Sequence, residues 1–260
     1  MIIVKPPTSR ATFLCPITFL CAAEIRGPVK SVVWPEIFLR IDYALHSLAR
    51  SHYSEEQGMP DRAIERPFVF RNLPPNGKVL DVGCTGSDLA LVLAGFGYDV
   101  VGIDARPYQM LRPPFRFVRG DIRKTEFPDG FFDVVTAVST IEHIGLSGRY
   151  GSDEDSEGDS RAMQEIQRIL KQGARAIVTV PFGEPAVLRP WNRIYGSEGL
   201  RSLARGFIAV KSEFFAPDER GLYRMVDEKE ASKYRAVANV GSGRVLQYSY
   251  ALGCMVLEKP

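Results

Sequence analysis

Cysteine is scarce: the 260 residues hold four, Cys15, Cys21, Cys84 and Cys254, and no C-x-x-C pair. That excludes a disulfide framework and a paired-cysteine zinc site, and the four read as small buried hydrophobes in a reducing compartment. An excess of charge of one sign is also missing. Lys and Arg number 33 against 31 Asp and Glu, a net +2, which provides no electrostatic footprint for nucleic acid. A membrane-spanning run is absent too. The longest apolar stretch, residues 11–23, is only about a dozen residues and Pro16 breaks it, so it is too short to cross a bilayer. Behind Lys5 and Arg10 it has the crude outline of a signal peptide, but the interruption favours a segment packed on the main domain, and a cytoplasmic location is expected. There is no internal repeat. Hydrophobic residues at 45% and charged residues at 25% are ordinary for a globular chain of one large domain, or one domain with an appendage.

What is present centres on residues 79–104, VLDVGCTGSDLALVLAGFGYDVVGID. A short apolar run leads to Asp81. A turn, Gly83-Cys84-Thr85-Gly86-Ser87, follows, then a helical pattern, then a second apolar run ending on Asp104. Strand, glycine turn, helix and strand make a parallel unit with a right-handed crossover, and ligands of such sheets bind beyond the carboxyl ends of the strands. Asp81 and Asp104 both stand at such ends. Gly83 and Gly86 permit close backbone approach, and the helix start near Ser87 suits an anionic group. An acid at the second strand's tip, roughly 20 residues on, suits the two hydroxyls of a ribose. The ligand is therefore of adenosine type, a nicotinamide dinucleotide or S-adenosylmethionine. The dinucleotide fingerprint G-x-G-x-x-G is not met, because the glycines stand as Gly83-x-x-Gly86.

Further segments extend the pattern. Residues 115–119 alternate as a third strand and end on Gly120-Asp121-Ile122. Residues 131–139 carry apolar residues on both faces, as a fourth, buried parallel strand should, and lead into Thr140-Ile141-Glu142-His143-Ile144. Residues 160–170 form an amphipathic helix, closed by Lys171-Gln172-Gly173, and residues 174–180 a fifth strand. Residues 207–214 and 248–258 read as strands six and seven, and residues 216–247 are polar and ambiguous. Upstream, residues 35–50 carry a helical stripe with Tyr43 and His46, and residues 63–73 suit a helix.

Residues 78–181 together resemble the class I S-adenosylmethionine-dependent methyltransferases, type 11-like. The glycine turn resembles the family's D-x-G-C-G-x-G motif, with Thr85 and Ser87 at positions usually filled by glycine. Residues 132–144 resemble the "FDVV…S.IEHI" pattern. The resemblance implies S-adenosylmethionine as cofactor, S-adenosylhomocysteine as product, and a three-layer, doubly wound, mostly parallel sheet of seven strands, the seventh antiparallel beside the fifth. It implies cofactor contacts from Asp81, Gly83, Cys84, Gly86, Ser87, Asp104, Ala105, Asp121, Ile122, Ser139 and Glu142. Asp121 would accept from the adenine amino group, and Ile122 would lie on the ring face. His143 is the candidate base for an acceptor hydroxyl, since a histidine titrates near neutral pH.

The segments GRYG (148–151), followed by Gly158-Asp159, and N.R.YG (192–196, led by Trp191) resemble a subgroup associated with glycans or small metabolites. Arg149, Tyr150, Trp191, Asn192, Arg193 and Tyr195 are the candidate substrate contacts, with aromatics to stack on a sugar and polar groups to bond its hydroxyls. Asp153, Asp155, Glu157 and Gly158 imitate the opening of an EF-hand loop but lack its closing Glu, and no metal is assigned. Residues 145–160 are expected to form a lid or a solvated loop. The overall expectation is a helical extension over residues 1–65, covering cofactor or substrate, and a cofactor-binding domain over 66–260. The expected activity is methyl transfer to a small polar acceptor, at oxygen, on a sugar, glycan or related metabolite. The partner is that small molecule, with neither nucleic acid nor membrane. A dinucleotide-dependent oxidoreductase and a non-catalytic partner protein of the same fold are the alternatives.

Overall fold

The computed structural model describes residues 61–110, 112–146, 153–189, 192–219, 221–240 and 246–260. Tyr43, His46, the rest of the expected N-terminal extension up to residue 60, and Arg149, Tyr150 and Trp191 lie outside them.

Helix α1 (Asp61–Asn72) opens the described chain. Strand β1 (Lys78–Val82) follows, then helix α2 (Leu89–Gly95) and strand β2 (Asp99–Asp104). Strands β3 (Arg116–Arg119) and β4 (Phe132–Val138) come next, then helix α3 (Gly158–Ile169) and strand β5 (Leu170–Phe182). A small hairpin of β6 (Ala186–Leu188) and β7 (Asn192–Ile194) precedes helix α4 (Ser197–Leu203). The chain ends with β8 (Ile208–Pro217), β9 (Tyr223–Val226), the short helix α5 (Glu228–Ala231), the pair β10 (Val237–Val240) and β11 (Leu246–Ser249), and β12 (Ala251–Glu258).

The central sheet runs in the order β3-β2-β1-β4-β5-β12-β8-β9. Its first five strands are parallel, and β12 is antiparallel to both β5 and β8. The sheet has eight strands where seven are expected. The eighth, β9, lies in the stretch that sequence left ambiguous. A turn closed by Asp218, whose backbone N–H donates to Leu222 O and whose side chain accepts from the Leu222 N–H, folds β9 back on β8. The seventh strand starts at Ala251 rather than 248, because residues 246–249 pair with β10 in a separate ribbon.

Alternation along the strands explains the layers. Val79, Val100 and Val134 face one core, with Phe68 and Val69 of α1 and Leu89, Ala90 and Leu93 of α2. Leu80, Val101 and Val135 face the other, with Ala162, Met163, Ile166 and Ile169 of α3 and Leu200 and Leu203 of α4. Helices thus cover both faces of a sheet whose central strands are buried on each side, the arrangement that parallel strands require. The expected division between residues 65 and 66 falls inside α1. Lys171, Gln172 and Gly173, expected to cap α3, instead form an irregularity within β5, where the register against β4 shifts and Gly173 takes φ 71°.

Candidate active site

Asp81, at the carboxyl end of β1, is 2% exposed. One carboxylate oxygen accepts from Thr136 Oγ1 at 2.8 Å, and Oδ2 is buried with no protein partner. Burial pushes this acid up to about 7, against the Thr136 hydrogen bond and the Arg62 charge. Beyond it Gly83 sits at φ 80° and donates its N–H to Ile103 O, clamping the turn onto β2. The turn then closes as one 3-10 turn, Cys84–Gly86, and Ser87 Oγ accepts from the Leu89 N–H to start α2. Cys84 points away from the turn's open side. Its sulfur packs 2.7 Å from where a Cβ on Gly102 would stand, so only its backbone is left to meet a ligand. Gly83 is tight for a protein reason as well: its missing Cβ would stand 2.5 Å from Thr140 Oγ1.

At the tip of β2, Asp104 is already engaged. Its oxygens accept from Thr85 N (3.0 Å), Arg106 N (2.9 Å), Arg106 Nε (3.2 Å) and an Arg106 terminal nitrogen (3.1 Å). Burial raises this carboxyl, but the Arg106 hydrogen bonds outweigh it and hold the group below its ordinary range. Sequence reasoning singled out Asp104 and missed its partner, although Arg106 stands only two residues away. Asp121 is similarly gripped by the Arg123 guanidinium, which also reaches Asp155 at 3.1 Å. Ala105 is exposed and its carbonyl accepts from Arg119 Nε, and Ile122 is buried in the core that includes Ile103 and Ile141.

The end of β4 delivers Ser139 and a 3-10 turn, Ile141–His143. Glu142 is 1% exposed, Oε2 has no hydrogen-bond partner, and burial drives its carboxyl well above the ordinary carboxylate range. His143 is the accessible member of the pair, with its side chain 21% exposed and Nε2 3.6 Å from Glu142 Oε1. Helix α1 contributes a residue that sequence reasoning missed. Glu65 is fully buried and accepts from Ser139 Oγ and Thr179 Oγ1, each at 2.5 Å, while Arg62 holds its other oxygen at 2.6 Å. Nothing in the local pattern of α1 marks this acid, because its partners stand 74 and 114 residues away.

The expected sugar contacts Arg193 and Tyr195 are instead built into the scaffold. Arg193 is buried and donates to Ile144 O (2.7 Å), Glu142 O (3.3 Å) and Asp155 O (3.4 Å). Tyr195 donates its hydroxyl to Asp159 at 2.8 Å, and Asn192 is buried in β7. The physical reason is placement: β7 runs beside the Ile141–His143 turn, so Arg193 satisfies backbone carbonyls that would otherwise be orphaned there, and Tyr195 just beyond it meets the Asp159 carboxylate. Asp155, one of the EF-hand-like acids, accepts from Arg123 and Arg161.

A family model described as "Caenorhabditis protein of unknown function, DUF268" matches residues 122–236. The sterol 24-C-methyltransferase ERG6B of Gibberella zeae is 33% identical over 130 residues, 44% of this chain and 31% of that protein. The 2-methyl-6-phytyl-1,4-hydroquinone methyltransferase of Synechocystis is 38% identical over 115 residues, 41% of this chain and 32% of that protein. The chain thus spans about a third of the length of these relatives. Among solved structures, the N-methyltransferase NodS of Bradyrhizobium japonicum, in complex with S-adenosylhomocysteine, superposes with a TM-score of 0.52 at 14% identity, covering 77% of this chain and 88% of that one. The fold is that of the class I S-adenosylmethionine-dependent methyltransferases. In such a fold the tips of β1, β2 and β4 are where the candidate residues gather, and no helix among the described residues is long and apolar enough to cross a membrane.

The Asp104–Arg106 pair makes a two-sided prediction. Asp104→Ala should weaken S-adenosylhomocysteine binding at least about tenfold, since a hydrogen bond to a charged group contributes roughly 1.5–3 kcal/mol. Arg106→Gln should tighten it severalfold, because a ribose then no longer competes with a guanidinium for the same oxygens. Isothermal calorimetry on both variants checks this. An unchanged affinity in a folded Asp104→Ala protein removes Asp104 from the site.

Proposed function

We propose that this chain is an S-adenosylmethionine-dependent methyltransferase acting on a small polar acceptor. The observation that carries the reading is the buried, unpartnered Asp81 Oδ2 beside the Gly83 turn: an anion-capable oxygen waiting for a cation at the mouth of the sheet. S-adenosylmethionine carries an ammonium group that fits this oxygen. Bound there, it would supply a methyl group already activated by its sulfonium charge, so the protein's task is alignment. Asp104 would hold the ribose hydroxyls and Asp121 the adenine amino group. Glu142 and Ser139 would form the floor, and His143 would take the proton of the acceptor hydroxyl at Nε2 or Nδ1.

We place the target atom at oxygen and the acceptor among sugars, glycans or related metabolites. With Arg193 and Tyr195 committed to the scaffold, that finer reading rests on His143 and on Arg149, Tyr150 and Trp191. The cysteine usage supports a cytoplasmic setting. Calorimetric titration with S-adenosylmethionine, S-adenosylhomocysteine and a nicotinamide dinucleotide tests the cofactor, and a screen for S-adenosylhomocysteine release tests the acceptor. Binding of the dinucleotide alone would turn the reading to an oxidoreductase. Binding of none would leave a non-catalytic partner protein.

Asp81 also predicts a pH signature. An acid whose pKa rises on folding costs stability as pH climbs from its unfolded value of about 3.8 to about 7, roughly 4 kcal/mol once complete. A cation at Oδ2 favours the ionised form. S-adenosylhomocysteine binding should therefore release close to one proton per ligand near pH 6 and about none above pH 8. Calorimetry in buffers of different ionisation enthalpy reads this release directly. Asp81→Asn should abolish it, and a wild type releasing no proton would exclude Asp81 as the cation's partner.

A further inference from the structure

Ser139 is the one non-glycine residue among those described with positive φ, 43°. It stands where β4 ends and the Ile141–His143 turn begins. An L-residue adopts this left-handed backbone only when its surroundings hold it there. The holding groups come from two other elements. The Ser139 N–H donates to both Thr179 O (3.0 Å) and Thr179 Oγ1 (3.1 Å) on β5. Its hydroxyl donates to Glu65 Oε1 at 2.5 Å, the same oxygen that takes the Thr179 hydroxyl. Arg62, one helical turn before Glu65, fixes the second carboxylate oxygen.

The bend at Ser139 has two consequences for the site. It brings Thr140 beneath the glycine turn, where Oγ1 reaches both Val82 O (3.2 Å) and Val138 O (3.0 Å) and occupies the space that Gly83 leaves open. It also starts the turn whose hydrogen bonds, His143 N to Thr140 O and Ile144 N to Ile141 O, carry Glu142 and His143. We infer that Glu65 is a positioning residue of the methyl-transfer site: by capturing the Ser139 hydroxyl it holds the end of β4 in the left-handed bend that seats Thr140 under the cofactor turn and presents His143. This role rests on the function proposed above for the same site. It assigns α1 a part in the chemistry although Glu65 reaches neither donor nor acceptor.

The test is a comparison of backgrounds. Ser139→Gly removes the hydroxyl but adopts positive φ without strain, whereas Ser139→Ala removes the hydroxyl and keeps the strain. Because both variants lose the hydroxyl, their ratio isolates the strain: S-adenosylhomocysteine affinity, measured by calorimetry, should be about tenfold or more higher in Ser139→Gly than in Ser139→Ala. Glu65→Ala should weaken binding about tenfold in the wild-type background and no more than about threefold in the Ser139→Gly background. Should Glu65→Ala fail to fold, Glu65→Gln is compared in the same two backgrounds, since only one of its two terminal atoms accepts, so either Arg62 or the hydroxyl pair loses its acceptor and the same clamp loosens.

Equal losses in both backgrounds would overturn the inference and leave Glu65 as an anchor of α1 alone. Ser139→Gly behaving no better than Ser139→Ala would overturn it as well. The melting temperature of each ligand-free protein is read in parallel. If the wild type bound no S-adenosylhomocysteine, the proposed function would fall. The same non-additivity in melting temperature would then decide whether Glu65 holds the bend.

Discussion

Replacing His143 with alanine should leave S-adenosylhomocysteine affinity nearly unchanged and reduce turnover by roughly 10²–10⁴-fold, the usual contribution of a positioned base. The split follows from position. His143 lies on the open side of the Ile141–His143 turn, whereas Asp81 and Asp104 stand at the ends of β1 and β2. Burial drives the carboxyl of its neighbour Glu142 upward, which weakens the carboxylate charge available to hold the imidazole in its protonated form. The wild-type rate should therefore rise with pH through the ordinary histidine range, about 6.5, and the variant should lose that limb. Rates are measured with an acceptor found by the release screen. If cofactor affinity collapses together with turnover, His143 is holding the pocket. If turnover barely changes, alignment alone carries the transfer and the proton leaves by another route.

Gly83→Val should abolish S-adenosylhomocysteine binding and also lower stability, by about 2–5 kcal/mol from strain and overpacking together. The sequence suggests a simpler outcome, in which the new side chain only fills ligand space and the fold stands. The structure changes the mechanism. At φ 80° a β-branched residue is strained whatever surrounds it, and a Cβ there would lie 2.5 and 2.7 Å from Thr140 Oγ1 and Cγ2. Thr140 would have to move, and its hydroxyl ties Val82 to Val138, so the ends of β1 and β4 move with it. Thermal unfolding and calorimetry measure the two effects. Wild-type affinity in the valine variant would show that the turn is not the cradle.

Gly83 and its neighbours show why part of the site was legible and part was not. Gly83, Asp81 and Asp104 are separated by short, regular stretches of strand, turn and helix, so spacing alone places them together at one end of the sheet. Arg193 and Tyr195 follow no such rule. Their residue types suit a sugar as well as they suit a backbone carbonyl or a buried carboxylate, and only the path of β7 beside the Ile141–His143 turn, which brings Arg193 to Ile144 O and Tyr195 to Asp159, decides between them.

The family resemblance implied the antiparallel β12 beside β5; the sequence by itself determined the alternation of strands and helices, the parallel order begun at β1 and β2, and the acids at the strand tips. These follow from periodicity and from residues near in the chain, where local sterics and hydrophobic pattern act. The tertiary structure alone decided the rest. It set Glu65 against Ser139 and Thr179, closed Arg106 over Asp104, left Asp81 Oδ2 without a partner, and added β9 to the edge of the sheet. For Glu65 and Asp81 the reason is desolvation: which buried polar groups find partners depends on atoms brought together from distant segments. Arg106 and β9 needed less distance, but a guanidinium's choice of partner and a polar segment's choice of strand both depend on what packs beside them.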